Sequence, residues 1–354
     1  MALPSIRFER RLVPDRRLNS AVSISSILLG LGSTVPLFLV AGVDPVAAFQ
    51  QVFSVFTTTQ GVTEAVTRSI PIILIAVGLC LPFKMGFWNI GGEGQLFMGG
   101  VAATLMVLMF PDSPSIIIIP LMILFAFLAG GIWGVIPAFL KARLQVNEVL
   151  TTLMMNFIAI LWVDFLVYGP WRDPQGYGFP LTVMFPLEAR LPMIPGIRIH
   201  SGLLIAIASA ILVYFVLSFS RWGYEIKVAG QSQSAAKYAG MSYILLTLLA
   251  MFLSGGFSGL AGMTLVSGIV MRLRHGISPG YGYTAIIVAW LARLNPIGAL
   301  VAGLLFGGLL VSGDALQIGL GLAFSTVLVF QGLILLFVVG ADVITQYRIT
   351  VSLR

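Results

Sequence analysis

The chain has 354 residues, 58% apolar and 9% charged, with a net charge of +7 and a mean hydropathy of +1.02. Soluble domains are about 45–50% apolar and about 25% charged, so a water-soluble fold of this composition would have to expose apolar side chains over its exterior. The numbers exclude an ordinary soluble protein and select an integral membrane protein, for which lipid replaces water as the solvent.

The first 20 residues are polar and basic, with Arg7, Arg10, Arg11, Arg16 and Arg17, and form a cytoplasmic segment. The apolar run 21–42 is too long for a signal-peptide core and is read as a first retained span. Further spans are predicted over 66–85, 93–110, 115–140, 148–169, 201–219, 242–270, 282–293, 297–312 and 323–341. The membrane domain is thus expected over 21–345, with an outer loop at 170–200, an inner loop at 221–241 and a tail at 346–354. The stretch 282–293 is too short to cross alone at about 1.5 Å per residue, so it is expected to continue from an irregular segment. The fold class is all-α, a polytopic bundle of about ten transmembrane helices.

Lys and Arg fix the expected orientation. With the N-terminus inside, the inner segments hold 14 of the 20: the five at the start, then Lys84, Lys141, Arg143, Arg221, Lys227, Lys237, Arg293, Arg348 and Arg354. The outer side keeps Arg68, Arg172, Arg190, Arg198, Arg272 and Arg274. The positive-inside rule selects both termini in the cytoplasm and explains the net charge without nucleic acid.

Several chemistries are excluded. The single cysteine, Cys80, allows no internal disulfide, and His200 and His275 are too few and too distant for a usual metal site. Lys84, Lys141, Lys227 and Lys237 follow Phe, Leu, Ile and Ala, so no P-loop is present. No metal or cofactor is expected.

Spans two to five and seven to ten form two blocks of four helices, running in opposite senses, with span six between them. Each block has a glycine-rich break after its first member. One carries Trp88, Asn89, Gly91, Gly92, Glu93, Gly94 and Gln95; the other carries Gly276, Pro279, Gly280 and Gly282. Matched broken helices in inverted repeats point to a transport path, because irregular backbone at membrane depth must line a cavity or be buried. Glu93 has two readings: a cap for a kinked helix start, or a path-lining group. Asn156 fits an interhelical hydrogen bond better than a solute contact. Asn147 and Glu148 suit a helix start, whereas Asp164, Asp314 and Asp342 lie near span ends. Arg272, Arg274 and His275 either face an outer vestibule or meet an anionic group. The run from Gly255 to Gly262 and that from Gly303 to Gly307 are read as close helix contacts. Within the inner loop, Ser234 to Gly240 reads as a short helix that is either a surface linker or a docking element.

In order along the chain, Asn89-Ile90-Gly91-Gly92-Glu93-Gly94-Gln95, Val146-Asn147-Glu148-Val149 with Thr152 to Asn156, the segment from Gly230 to Gly240, the segment from Gly276 to Ala285, and Arg293-Leu294-Asn295-Pro296 resemble a known family. It is that of the ABC-transporter permeases for branched-chain amino acids, simple sugars and nucleosides. The likeness is greatest to the longer of two permeases in nucleoside and simple-sugar importers with a basic-membrane-protein type receptor. The resemblance implies a bacterial inner-membrane importer subunit that pairs with a second permease, a cytoplasmic ATPase and an extracytoplasmic binding protein. It places Gly230, Ala235, Ala236, Lys237, Tyr238 and Gly240 on the ATPase-coupling segment, with ATP hydrolysis in the partner and none in this chain. This sequence departs from the family at Ser232 and Gln233, where Asn and Pro are usual. On this reading Trp88, Asn89, Glu93, Gln95 and Asn156 are the candidates for lining the path of a nucleoside or simple sugar. The rival readings are an ion-gradient-driven transporter, working through Glu93, and an intramembrane enzyme; no clustered nucleophile, base and acid speaks for the latter.

Overall fold

The computed structural model describes residues 4–10, 16–197 and 199–353. Arg11, Arg198 and Arg354, assigned above to the inner and outer sides, lie outside the described residues. In chain order the helices are α1 (Arg16–Ser33), α2 (Val35–Val40), α3 (Pro45–Thr57), α4 (Thr59–Lys84), α5 (Gly92–Met109), α6 (Ser115–Leu144) and α7 (Glu148–Tyr168). They continue with α8 (Gly202–Phe219), α9 (Arg221–Gln231), α10 (Gln233–Tyr238), α11 (Tyr243–Thr264), α12 (Tyr281–Leu291), α13 (Pro296–Leu320) and α14 (Phe324–Gln346). Among the described residues seven helices are long and apolar enough to cross a bilayer: α4 to α8, α13, and α11 with its continuation to Ile269. Shorter apolar stretches at Leu28–Val40, Tyr281–Leu291 and Phe324–Ile334 fall where the other three spans are predicted.

Local chemistry explains the boundaries. Asn147 caps α7 by accepting from the amides of Val149 at 2.9 Å and Leu150 at 3.2 Å. Glu148 in the first turn pairs with Lys141 at 2.9 Å. Pro71, Pro82, Pro120 and Pro137 lie inside α4 and α6, a placement that membrane helices accommodate through neighbouring helices.

Three features depart from the sequence reading. The segment 44–58 contains α3, opened by Asp44, which accepts from the Val46 amide at 3.0 Å, and by Pro45 in the first turn. The first part of the segment 221–241, expected to be a loop, is a helix, α9: Ser220 accepts from the Gly223 amide at 3.1 Å, and Ile226 and Ala229 are buried along one side. The all-helical expectation omits a two-stranded antiparallel ribbon, in which β1 (Pro4–Arg10) pairs with β2 (Tyr347–Leu353) from Pro4 opposite Leu353 to Arg10 opposite Tyr347.

The chain divides into two compact units. The first comprises residues 1–62 and 309–354, with α1 packed on α14, the ribbon, and Phe38 buried between the rings of Phe49 and Phe330 at 5.8 Å from each. The second, residues 63–308, is built around α5, α6 and α11. These three helices meet backbone to backbone. A methyl added at Gly99 would overlap Gly259, one at Gly130 would overlap the Gly255 carbonyl, and one at Gly262 would overlap the Leu96 carbonyl. Lipid gives helices no hydrophobic drive to associate, so close van der Waals approach through small residues supplies it instead.

α11 ends in a π turn, Leu265–Ile269. The segment 180–191 runs along this turn and the residues after it. The Thr182 amide donates to Leu273 at 2.9 Å, Phe185 to Met271 at 2.9 Å and Leu191 to Ser267 at 3.2 Å, while the Ser267 hydroxyl donates to Ala189 at 2.6 Å.

Candidate functional site

Between α4 and α5 the backbone leaves the helical path, and the amides and carbonyls released there need partners away from water. Side chains supply them. Asn89 is fully buried; its Oδ1 accepts from the Gly91 amide at 3.0 Å, and its Nδ2 donates to Gln95 at 3.2 Å and to Ser254 of α11 at 3.1 Å. Gln95 returns a bond from Nε2 to Asn89 Oδ1 at 3.2 Å. Asn156 of α7 accepts from the Gly94 amide at 2.7 Å and donates to the Ile90 carbonyl at 2.9 Å and to the Tyr283 hydroxyl at 3.2 Å. Thr152, one turn earlier, accepts from the Ile90 amide at 3.2 Å.

The second break precedes α12. Gly280 lies at φ +96°, a left-handed conformation closed to most side chains, and Ser278 accepts from the amides of Gly280 and Tyr281 at 3.2 and 3.1 Å. Glu93, 2% exposed, joins the two breaks: its Oε2 accepts from the Gly282 amide at 2.6 Å. The carboxylate therefore sits on the positive end of α12 and satisfies one of its free amides.

The structure thus brings Asn89, Glu93, Gln95 and Asn156 into one buried network with Gly91, Gly94 and Gly282. Trp88 stands apart from it, 45% exposed, with its ring 5.4 Å from Trp290 and 5.7 Å from Phe83. The sequence reading did not anticipate Ser254, Tyr283 or Trp290. Ser254 immediately precedes the Gly-rich run taken as packing alone, and Tyr283 and Trp290 are seven residues apart, which puts them on one face of α12.

Among the described residues no cluster of His, Cys, Asp and Glu is able to hold a metal. Beyond the breaks, His275 lies 2.6 Å from Asp164. His200 is buried against Gly268 of the π turn; its Nδ1 accepts from the Gly202 amide at 3.2 Å and its Nε2 has no partner among the described residues. Burial pushes this imidazole down to about 4.

The segment 221–241 makes none of the hydrogen bonds that hold the two breaks. Ser232 caps α10 by accepting from the Ala235 amide at 3.2 Å, Ala236 is buried, and Ala235, Lys237, Tyr238 and Gly240 are exposed. Gly230, near the end of α9, fits against the last carbonyl of α4, that of Lys84.

Long apolar helices with broken segments stitched together by buried amides define a polytopic membrane permease. Residues 61–339 match the family model described as "Branched-chain amino acid transport system / permease component", and the chain belongs to this family of ABC-transporter permeases. Relatives include the glucose ABC transporter permease protein TsgB13 of Haloferax volcanii, 34% identical over 97% of this chain and 93% of that one. The guanosine ABC transporter permease protein NupP of Bacillus subtilis is 32% identical over 90% of this chain and 93% of its own length. NupQ, a second guanosine permease of the same organism, is 26% identical over 67% of this chain and 76% of its own.

Proposed function

We propose that this chain forms one part of the membrane path of an ABC importer for a nucleoside or simple sugar. A cytoplasmic ATPase drives it through α10, a second permease completes the path, and an extracytoplasmic binding protein delivers the solute. The observation that carries this reading is α10 itself. It is a short capped helix between two membrane segments that exposes Ala235, Lys237 and Tyr238 while Ala236 anchors it beneath. Such a helix offers a rigid knob to a soluble partner, and closing of that partner on ATP would be passed through α9 to the end of α4. The guanosine and glucose named for the relatives support the solute class, and the two Bacillus permeases that both match support a paired permease. ATP hydrolysis belongs to the partner, since this chain has no P-loop.

In this reading both termini lie in the cytoplasm. The ribbon between residues 4–10 and 347–353 supports a common side for them, because paired strands cannot be separated by a bilayer. The experiment is direct. Cys80 is the sole cysteine and is buried, so a cysteine placed by Ser234→Cys reports alone. Labelling of that position only after the membrane is opened, together with ATP-dependent uptake by the complex purified with its partner chains, is expected. Labelling from outside intact cells, or uptake unchanged without ATP, would overturn the reading.

A further inference from the structure

Where α6 ends, α10 and the start of α11 enclose a cavity of about 300 Å³. Lys141 and Gln145 line it from the end of α6, Gln233 and Lys237 from α10, and Ser242 and Tyr243 from the start of α11. Gln233 Nε2 donates to the Tyr243 hydroxyl at 2.8 Å, which ties α10 to α11 along one wall. Ligand pockets span about 300–1,000 Å³ and are mostly apolar, so a small cavity lined by ammonium, amide and hydroxyl groups selects its occupant by charge.

Among the described residues none of those lining the cavity is acidic. Lys141 is paired with Glu148 at 2.9 Å, whereas Lys237 is exposed and forms no ion pair among the described residues. The positive end of α11, a helix of 22 residues, opens at the same place. The opposing negative end of α6 is covered, because the Gln145 amide donates to the Lys141 carbonyl at 3.1 Å and the Val146 amide to that of Leu140 at 3.4 Å. Lysines and amide donors around a small space suit a phosphate.

A phosphate in this place has a lipid within reach. Both α6 and α11 are long and apolar enough to cross a bilayer, so their ends put the cavity at the lipid boundary. Leu144 and Leu245 adjoin the lining residues Gln145 and Ile244 in sequence and are 64% and 54% exposed. Acyl chains attached to the phosphate would cover these leucines; a soluble phosphate would leave them bare.

We propose that this cavity binds the phosphate headgroup of an anionic phospholipid from the cytoplasmic leaflet, joining α10 to the ends of α6 and α11. Basic pockets between membrane helices on the cytoplasmic side hold such headgroups. Binding of the headgroup follows from the cavity, while the choice of leaflet and the link to α10 as a coupling helix rest on the importer reading above.

The test uses the complete importer in detergent, with native mass spectrometry counting bound lipid as phosphatidylglycerol or phosphatidylcholine is added. The wild type is expected to bind one phosphatidylglycerol about tenfold more tightly than phosphatidylcholine. Lys237→Gln is expected to weaken that binding about fivefold and Lys237→Arg to keep it. Lys227→Gln, exposed on α9 outside the cavity, is expected to leave it unchanged. Equal affinity for the two lipids, or equal weakening by Lys237→Gln and Lys227→Gln, would overturn the site in favour of general surface charge. Displacement of the lipid by an equal concentration of inorganic phosphate would overturn the lipid and leave a soluble anion. No bound lipid in the complex would assign the cavity to an acidic group of the ATPase. Uptake that continues without ATP would sink the importer reading and leave the lipid site standing.

Discussion

The carboxylate of Glu93 and the amide of Gly282 meet at 2.6 Å, although 189 residues separate them in the chain. Through this bond the first broken helix caps the second. The geometry predicts different outcomes for two substitutions. Glu93→Gln keeps an acceptor oxygen of the same reach, whereas Glu93→Ala leaves a buried amide without a partner, at about 1–3 kcal/mol. Thermal unfolding of the purified complex is expected to show the larger loss for alanine, with uptake following stability. Equal loss in both variants would mean that the charge, and not the cap, is what the site requires.

Backbone contact among α5, α6 and α11 makes a second prediction. At Gly262 a methyl has no room beside the Leu96 carbonyl, while at Gly332 of α14 nothing lies within 4 Å of an added methyl. Gly262→Ala is expected to destabilise by several kcal/mol, about 2–4, because two helices must part to admit it. Gly332→Ala is expected to be neutral or to stabilise by up to about 1 kcal/mol, since alanine favours the helix. Unfolding midpoints of the two variants in one detergent decide the matter.

The apolar stretches were legible because length and hydropathy are local properties, and among the described residues seven of them coincide with helices long enough to cross a bilayer. α9 was not, because its buried residues Ile226 and Ala229 occupy one narrow side of a segment that also carries Arg221, Glu225 and Lys227. α3 carried a readable start in Asp44-Pro45 that hydropathy alone passed over. At the site, the polar residues of the first break were legible as a group, but their partners were not. Ser254, Tyr283 and Gly282 come from distant segments, and pattern within one segment says nothing of which distant side chain will reach it. The terminal ribbon escaped for the same reason.

In the proposed importer, the exposed helix α10 separates folding from coupling. Tyr238 is 97% exposed and Ala236 is fully buried, two residues apart on one short helix. Tyr238→Ala is expected to change stability by no more than about 0.5 kcal/mol, yet to lower ATP-driven uptake about tenfold, as loss of an aromatic anchor at an interface does. Ala236→Asp is expected to destabilise the segment itself, because it buries a charge with no partner. Assembly with the ATPase, measured by co-purification, and the unfolding midpoint of the permease should therefore respond in opposite order to the two variants. A Tyr238→Ala protein with wild-type uptake would remove this helix from the coupling path.

His200 makes stability depend on pH in a defined direction. Its neutral form fits the pocket beside Gly268, and burial holds its folded-state value at about 4, below the ordinary 6.5. The unfolded chain therefore binds the proton more readily, so stability rises with pH across this window and is fully present above about 6.5. As pH falls from 6.5 towards 4 the contribution is lost, up to about 3 kcal/mol for a shift of this size. Protonation would also place a donor on Nδ1, where the Gly202 amide already points, so the bond of 3.2 Å turns into a clash of two donors. His200→Gln keeps an amide oxygen near Gly202 and removes the titration. Unfolding midpoints measured every half unit from pH 4 to 7 are expected to fall steeply with acid for the wild type and to stay nearly level for this variant. Parallel curves for the two proteins would assign the acid sensitivity to some other group.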